Sequence, residues 1–175
     1  MTTATTIILE TERLLLRRQQ AADITPLVEL WTDPEVTHHL GGPRDRDLLQ
    51  TAFEETAQNP WAETYDLWPV IEKATGRVVG HCGLLDKEVE GSLEIELNYI
   101  MAPAVWGNGY ATEIAAALID YAVARLGLTR LIALIKPENT ASERVAVRVG
   151  LQFEKEVVRS GGAVYKLYSL SRAEE

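Results

Sequence analysis

Trp106-Gly107-Asn108-Gly109-Tyr110-Ala111-Thr112 separates a stretch that alternates like a strand from one whose apolar residues recur at helical spacing. Glycines in such a corner let the backbone adopt positive φ and come close to a ligand. The amides of the first helical turn lack partners within the helix, and with the helix dipole they form a receptor for a diphosphate. Two other phosphate-binding loops do not fit these letters. A P-loop needs Gly-Lys-Ser/Thr after four variable residues, and no such string occurs. A dinucleotide fingerprint needs a third glycine where Thr112 stands and an acid at the end of the next strand, which here ends in Ile135-Lys136.

Before the loop, Leu93, Ile95, Leu97, Tyr99 and Met101 share one face of a predicted strand, and Glu94, Glu96 and Asn98 share the other. After it, Ala111, Ile114, Leu118, Tyr121 and Ala122 form one stripe of a helix reaching Arg125, with Gly127 as the stop. The continuous apolar run Leu131 to Ile135 reads as a strand buried on both faces, which makes strand, helix and strand a parallel crossover. Asn139 caps a helix running to Val149 and closed by Gly150, with Val145 and Val149 inward. Two last strands, Gln152 to Arg159 and Ala163 to Leu170, are joined by Ser160-Gly161-Gly162.

The N-terminal half begins with a strand between Glu10 and Gln20, carried by Leu14 and Leu16. A helix follows, capped by Asp23, bearing Leu27, Leu30 and Trp31, and ended by Asp33-Pro34. A second helix covers Asp45 to Gln58. Tyr65 to Glu72 and Arg77 to Leu85 read as a hairpin turning at Ala74-Thr75-Gly76, with Pro69 at an edge or irregularity.

A length of 175 residues and 46% apolar residues suit one folded domain, residues 1–175. The formal net charge of -9 repels phosphate backbones and argues against nucleic acid as a partner, while cationic amines would be drawn in weakly. One cysteine, Cys82, cannot form an internal disulfide, and the three histidines show no metal-ligand spacing, so no metal is expected. Met1-Thr-Thr-Ala-Thr-Thr lacks the charged start and apolar core of a signal peptide, and no apolar run has membrane-spanning length; these features fit a cytoplasmic protein without a membrane partner.

Trp106 to Glu113 resembles motif A of the GNAT superfamily, Gln/Arg-x-x-Gly-x-Gly/Ala, at Gly109 and Ala111. Trp106 in place of Gln or Arg is similar to the RimJ/RimL ribosomal-protein N-terminal acetyltransferase branch, where Trp-Gly-x-Gly-Tyr-Ala-Thr-Glu is usual. Asn139-Thr-Ala-Ser142-Glu-Arg144-Val145-Ala-Val-Arg148-Val-Gly150-Leu151 resembles that branch's Asn-x-x-Ser-x-Arg-Val-Ala-x-Lys-x-Gly-Phe, and Thr11-Glu12-Arg13-Leu14-Leu15-Leu16-Arg17 resembles its opening.

The resemblance implies an α/β fold with a mixed, mostly antiparallel sheet of about seven strands and four helices, splayed at its middle around acetyl-CoA. It implies acetyl transfer to a primary amine, such as a protein N-terminal α-amine. A small-molecule acceptor (polyamine, amino acid or aminoglycoside) and a non-catalytic acyl-CoA-binding regulatory domain are the alternatives, in a monomer or a homodimer.

By the same resemblance Trp106, Gly107, Asn108, Gly109, Tyr110, Ala111 and Thr112 form the coenzyme loop, and backbone groups near Ile100 and Met101 bond the pantetheine arm. Asn139 bonds pantetheine amides or caps its helix. Arg144 meets a coenzyme phosphate or an exposed helix neighbour. Glu96 orients or deprotonates the amine, or forms a structural ion pair, and Glu94 shares its face. The tyrosine that many GNAT enzymes use as acid is replaced by Ala146; Ser142 is the candidate acid, with helix capping or pantetheine bonding as its other role. His38 and His39 fall where similar proteins frame the acceptor entrance. Trp31, Trp61 and Trp68 belong either to the acceptor wall or to the core, and Cys82 is read as a small buried residue.

Overall fold

The structure is a computed structural model that describes residues 6–173; Met1 to Thr5, read above as lacking a signal-peptide start, lie outside the described residues, as do Glu174 and Glu175. Eight strands form one sheet: β1 (Ile7–Glu10), β2 (Leu14–Arg17), β3 (Leu67–Glu72), β4 (Val78–Val89), β5 (Ser92–Met101), β6 (Arg130–Ile135), β7 (Gln152–Val158) and β8 (Val164–Ser171). Four α-helices complete it: α1 (Ile24–Thr32), α2 (Arg46–Gln58), α3 (Tyr110–Ala124) and α4 (Thr140–Arg148). The strand order is β1-β2-β3-β4-β5-β6-β8-β7, antiparallel everywhere except between β5 and β6.

The extra strand relative to the expected seven is β1. Its four residues pair with β2 across an irregular register between Ile7 and Leu9, too short a run for alternation to be legible. β8 inserts between β6 and β7, an order that hairpin reading does not reveal. Pro69 sits in an interior strand, but one residue from the register shift at Val70 and Ile71 and just past the last pair that β2 makes with β3. Asp23 precedes α1 without capping it: its carboxylate accepts from both amino groups of Arg17 and from the Gln20 amide. Asp45 does cap α2, accepting from the Leu48 amide at 2.9 Å.

α3 is buried along Ile114, Ala115, Leu118, Ile119 and Ala122, adding Ala115 and Ile119 to the expected stripe, and packs against Leu97 and Met101 of β5. A fully buried aliphatic side chain contributes about 1.5–3 kcal/mol, so this face anchors the helix firmly. On the opposite side of the sheet, α1 and α2 enclose Ile24, Leu27, Val28 and Phe53. Among the described residues, no helix is long and apolar enough to cross a membrane.

Candidate active site

β5 and β6 share one registered pair, Glu96 with Ile132, and separate beyond it. A cleft of about 1110 Å³ occupies the gap, reaching both faces of the sheet. Side-chain alternation divides its walls. Leu97, Tyr99 and Met101 face α3 and α4, whereas Glu96, Asn98 and Ile100 share the face of His81, which meets Trp31 of α1 and Phe53 of α2.

On the α3 side the loop has the backbone conformation its letters suggest. Gly107 and Gly109 adopt φ of 78° and 77°, a region that costs other residues energy. Gly109 precedes α3, and the first intrahelical bond runs from the Glu113 amide to its carbonyl. The amides of Tyr110, Ala111 and Thr112 thus reach the cleft wall with no protein acceptor among the described residues. The side chain of Tyr110 points elsewhere, donating to Glu72 at 2.7 Å beneath the Arg13 guanidinium. Trp106 and Gly107 line the cleft, but Asn108 does not; its side chain donates to the Val105 carbonyl at 3.1 Å and holds the turn.

Which polar groups of β5 face the gap is set by pairing. The Ala102 amide donates to Val79 of β4, so by alternation the polar groups of Ile100 also turn toward β4, and those of Tyr99 and Met101 turn toward the gap. Ile100 therefore contributes its side chain, not its backbone, to the cleft, on the face of His81. The Met101 carbonyl accepts from the Trp106 indole at 2.9 Å, which is what a tryptophan adds at the loop's first position.

α4 brings Asn139, Ser142, Val145 and Arg148 to the same side. Asn139 caps the helix, its Oδ1 accepting from the Ser142 amide at 3.2 Å. Arg144 lies on the outer face of α4 rather than on the cleft, one position round the helix from Val145; Arg148, one turn on, reaches the cleft instead. Ala146 is fully buried. A tyrosine is nevertheless present, supplied by β5. Tyr99 Oη donates to the Ser142 carbonyl at 2.9 Å and accepts from Ser142 Oγ at 3.1 Å. Burial raises its phenol to about 12, so it stays protonated near neutral pH. Sequence reasoning missed it, although Tyr99 stands three residues beyond Glu96 in the strand entering the loop.

The two strand carboxylates part company. Glu94 is gripped by Arg130 at 3.0 Å, beside Glu154, and does not line the cleft. Glu96 does: it is 7% exposed, sits where the strands separate, and has Lys87 Nζ 3.4 Å away. Above it, the connection from α1 to α2 carries His38 and His39, which line the cleft. That connection is held by Asp33, which accepts the Glu35 amide, by the Arg44 amide donating to the Trp31 carbonyl, and by the Trp31 indole donating to His81 Nδ1 at 3.0 Å. Burial lowers His81 to about 4, so it stays neutral and accepts from Trp31. Of Trp31, Trp61 and Trp68, Trp31 lines the cleft; Trp68 is core, and Trp61 stacks under Arg18 at the surface.

The residues present fit acetyl-CoA: open amides for the diphosphate, Lys136 and Arg148 on the same cleft for its charge, and a slot between strands for the arm. An open sheet with a helix N-terminus at its parted strands defines a class of acyl-carrier-binding transferases. The chain belongs to the GNAT acetyltransferase family: the Acetyltransferase (GNAT) domain matches residues 13–152.

Bacillus subtilis (strain 168) YkkB, itself uncharacterized, is 33% identical over 150 residues, covering 85% of this chain and 87% of its own. The acetyltransferase from Agrobacterium tumefaciens str. C58 superposes with a TM-score of 0.78 at 27% identity, over 98% of this chain and 96% of its own. The spermidine N-acetyltransferase from Vibrio cholerae, solved with CoA and spermine, shares the fold alone, with a TM-score of 0.75, 16% identity, and coverage of 92% and 96%. The protein is an acetyl-CoA-dependent N-acetyltransferase.

Proposed function

We propose that residues 1–175 act as one cytoplasmic N-acetyltransferase domain whose acceptor is a protein N-terminal α-amine, entering from the α1–α2 face while acetyl-CoA enters from the α3–α4 face. The RimJ/RimL-like motifs of the loop and of α4 support this acceptor. The observation that carries the reading is the single β5–β6 pair at Glu96, which joins the two lobes of the cleft through the sheet.

When bound, acetyl-CoA supplies the thioester carbonyl that the amine attacks. The acceptor must first lose a proton, and Glu96, at the vertex beside Lys87, takes it directly or through water. The departing sulfur needs a proton in return. Tyr99 Oη can deliver it by turning its proton from the Ser142 carbonyl to the sulfur, and Ser142 Oγ, which donates to the same oxygen, stabilises the phenolate left until solvent returns a proton. The open amides of Tyr110, Ala111 and Thr112 and the backbone of Tyr99 and Met101 hold the coenzyme, with Asn139 fixing the first turn of α4.

Release of free coenzyme A thiol in the presence of N-terminal peptides, with acetylated product identified by mass, tests this. Glu96→Gln is expected to lower kcat by about a hundredfold while the calorimetric affinity for acetyl-CoA stays within about threefold. Coenzyme binding without acetylation of any amine would instead identify a sensor.

A further inference from the structure

The charge of the cleft runs opposite to that of the molecule. The chain has 26 acidic and 17 basic side chains. Among the described residues, the cleft walls carry Arg44, Lys87, Lys136, Arg148 and Arg159 against only Glu35 and Glu96. Lys136 precedes α4 and Arg148 is its last residue, so both lie on the lobe proposed for the coenzyme. The other three cations line the acceptor lobe.

Their partners separate them further. Arg44 donates to the carbonyls of Leu40 and Gly42 and lies 5.6 Å from the Trp31 ring, so it contributes charge but few open donors. Lys87 has Glu96 3.4 Å away. Arg159 follows β7, and its Nη1 donates to the carbonyl of Glu88, the residue beside Lys87. Its Nε and Nη2 have no protein acceptor among the described residues. The hairpin of β7 and β8 thus brings a half-buried guanidinium with donors to spare to the strand that carries Lys87.

We infer that the acceptor is a primary amine bearing a carboxylate a few bonds from the nitrogen, with its amine at Glu96 and its carboxylate between Lys87 and Arg159. This rests on the transfer proposed above and specifies its acceptor. The arrangement alternates charge around the bound acceptor: Glu96, ammonium, carboxylate, Lys87. A polyamine would instead bring a second ammonium against Arg44 and Arg159 with only Glu35 to offset it, and like charges in a confined cleft repel strongly. Guanidinium donors also match a carboxylate in a planar, paired geometry. Both a free amino acid and a peptide with an acidic residue near its N-terminus have this chemistry.

The test compares a free amino acid with its amide, a peptide with an acidic second residue with its neutral counterpart, and spermidine. Rates are followed by thiol release, and binding to the coenzyme A-loaded protein by calorimetry. The acid-bearing member of a pair should have a KM lower by about tenfold or more with similar kcat. The amide's less basic nitrogen would by itself favour the amide, so basicity cannot produce this preference. Which pair shows the larger difference tells a free amino acid from a peptide end. Arg159→Gln should erase the difference, Arg159→Lys should retain most of it, and neither should change acetyl-CoA affinity. Equal use of acid and amide, or better use of spermidine, overturns the inference while leaving acetyl transfer intact. If no member turns over, the catalytic reading fails, and calorimetry still decides: tighter binding of the acid, lost in Arg159→Gln, supports the inference, and equal or absent binding overturns it.

Discussion

Glu94 and Glu96 are two residues apart on one face of β5, yet Arg130 binds the first into a surface ion cluster while the second faces the cleft. Tyr99 and Ser142 are distant in sequence and form a mutual hydrogen bond. Removing the phenol hydroxyl in Tyr99→Phe leaves Ser142 Oγ without its acceptor. It should lower kcat by about tenfold or more while changing acetyl-CoA affinity by less than about threefold. If the two hydroxyls act as one relay, Tyr99→Phe combined with Ser142→Ala should be no slower than the slower single variant, whereas independent roles would multiply. Steady-state rates over a pH series, with thermal unfolding alongside, separate a proton-transfer role from simple bracing of α4. The thiol assay is not confounded by the protein, because Cys82 is fully buried and its thiol is pushed up by burial to about 12.

At the scale of elements, the N-terminal motif has a mechanical role in which resemblance alone showed only a match. The Thr11 hydroxyl, the Arg13 amide and the Arg13 guanidinium all donate to the Glu113 carboxylate in the first turn of α3. The connection of β1 to β2 thereby braces the helix that carries the coenzyme amides. Burial alone would raise the Glu113 carboxyl, but these donors outweigh it and hold it below the usual carboxylate range. A depressed carboxylate adds stability above its unfolded pKa and loses it as pH falls through the folded value. Glu113→Gln should therefore destabilise by about 1 kcal/mol at neutral pH, with Arg13 partly exposed, and the gap should narrow in acid as the pH falls through the depressed folded value. Urea unfolding of both proteins at neutral and acid pH checks this.

For the whole molecule, a coenzyme held as proposed would join β5, α3 and α4, so its binding should stabilise the fold as a unit. Acetyl-CoA at about 100 times its Kd should add about 2.7 kcal/mol, a rise in Tm of roughly 5–10 °C. Gly109→Glu should abolish that rise, since the carboxylate would stand at the positive end of α3, the place proposed for the diphosphate. Gly109→Ala carries the same backbone strain at φ 77° without the charge, and should keep a measurable shift. Calorimetric titration of the three proteins distinguishes strain from repulsion.

The loop, the helix after it, the parallel crossover and the hairpin of β3 and β4 were all legible in the letters, because each rests on local chemistry: glycine dihedrals, helix capping and the period of apolar residues. The same local patterns placed Glu96 on the polar face of its strand. They could not say that β8 lies between β6 and β7, that β5 turns the polar groups of Tyr99 rather than Ile100 to the gap, or that Arg148 rather than Arg144 reaches the cleft. Nor could they bring Arg159 to the Glu88 carbonyl of β4, or Tyr99 to Ser142. These depend on pairing and packing between segments far apart in the chain, where which neighbour a strand or helix acquires decides which of its side chains meet a substrate.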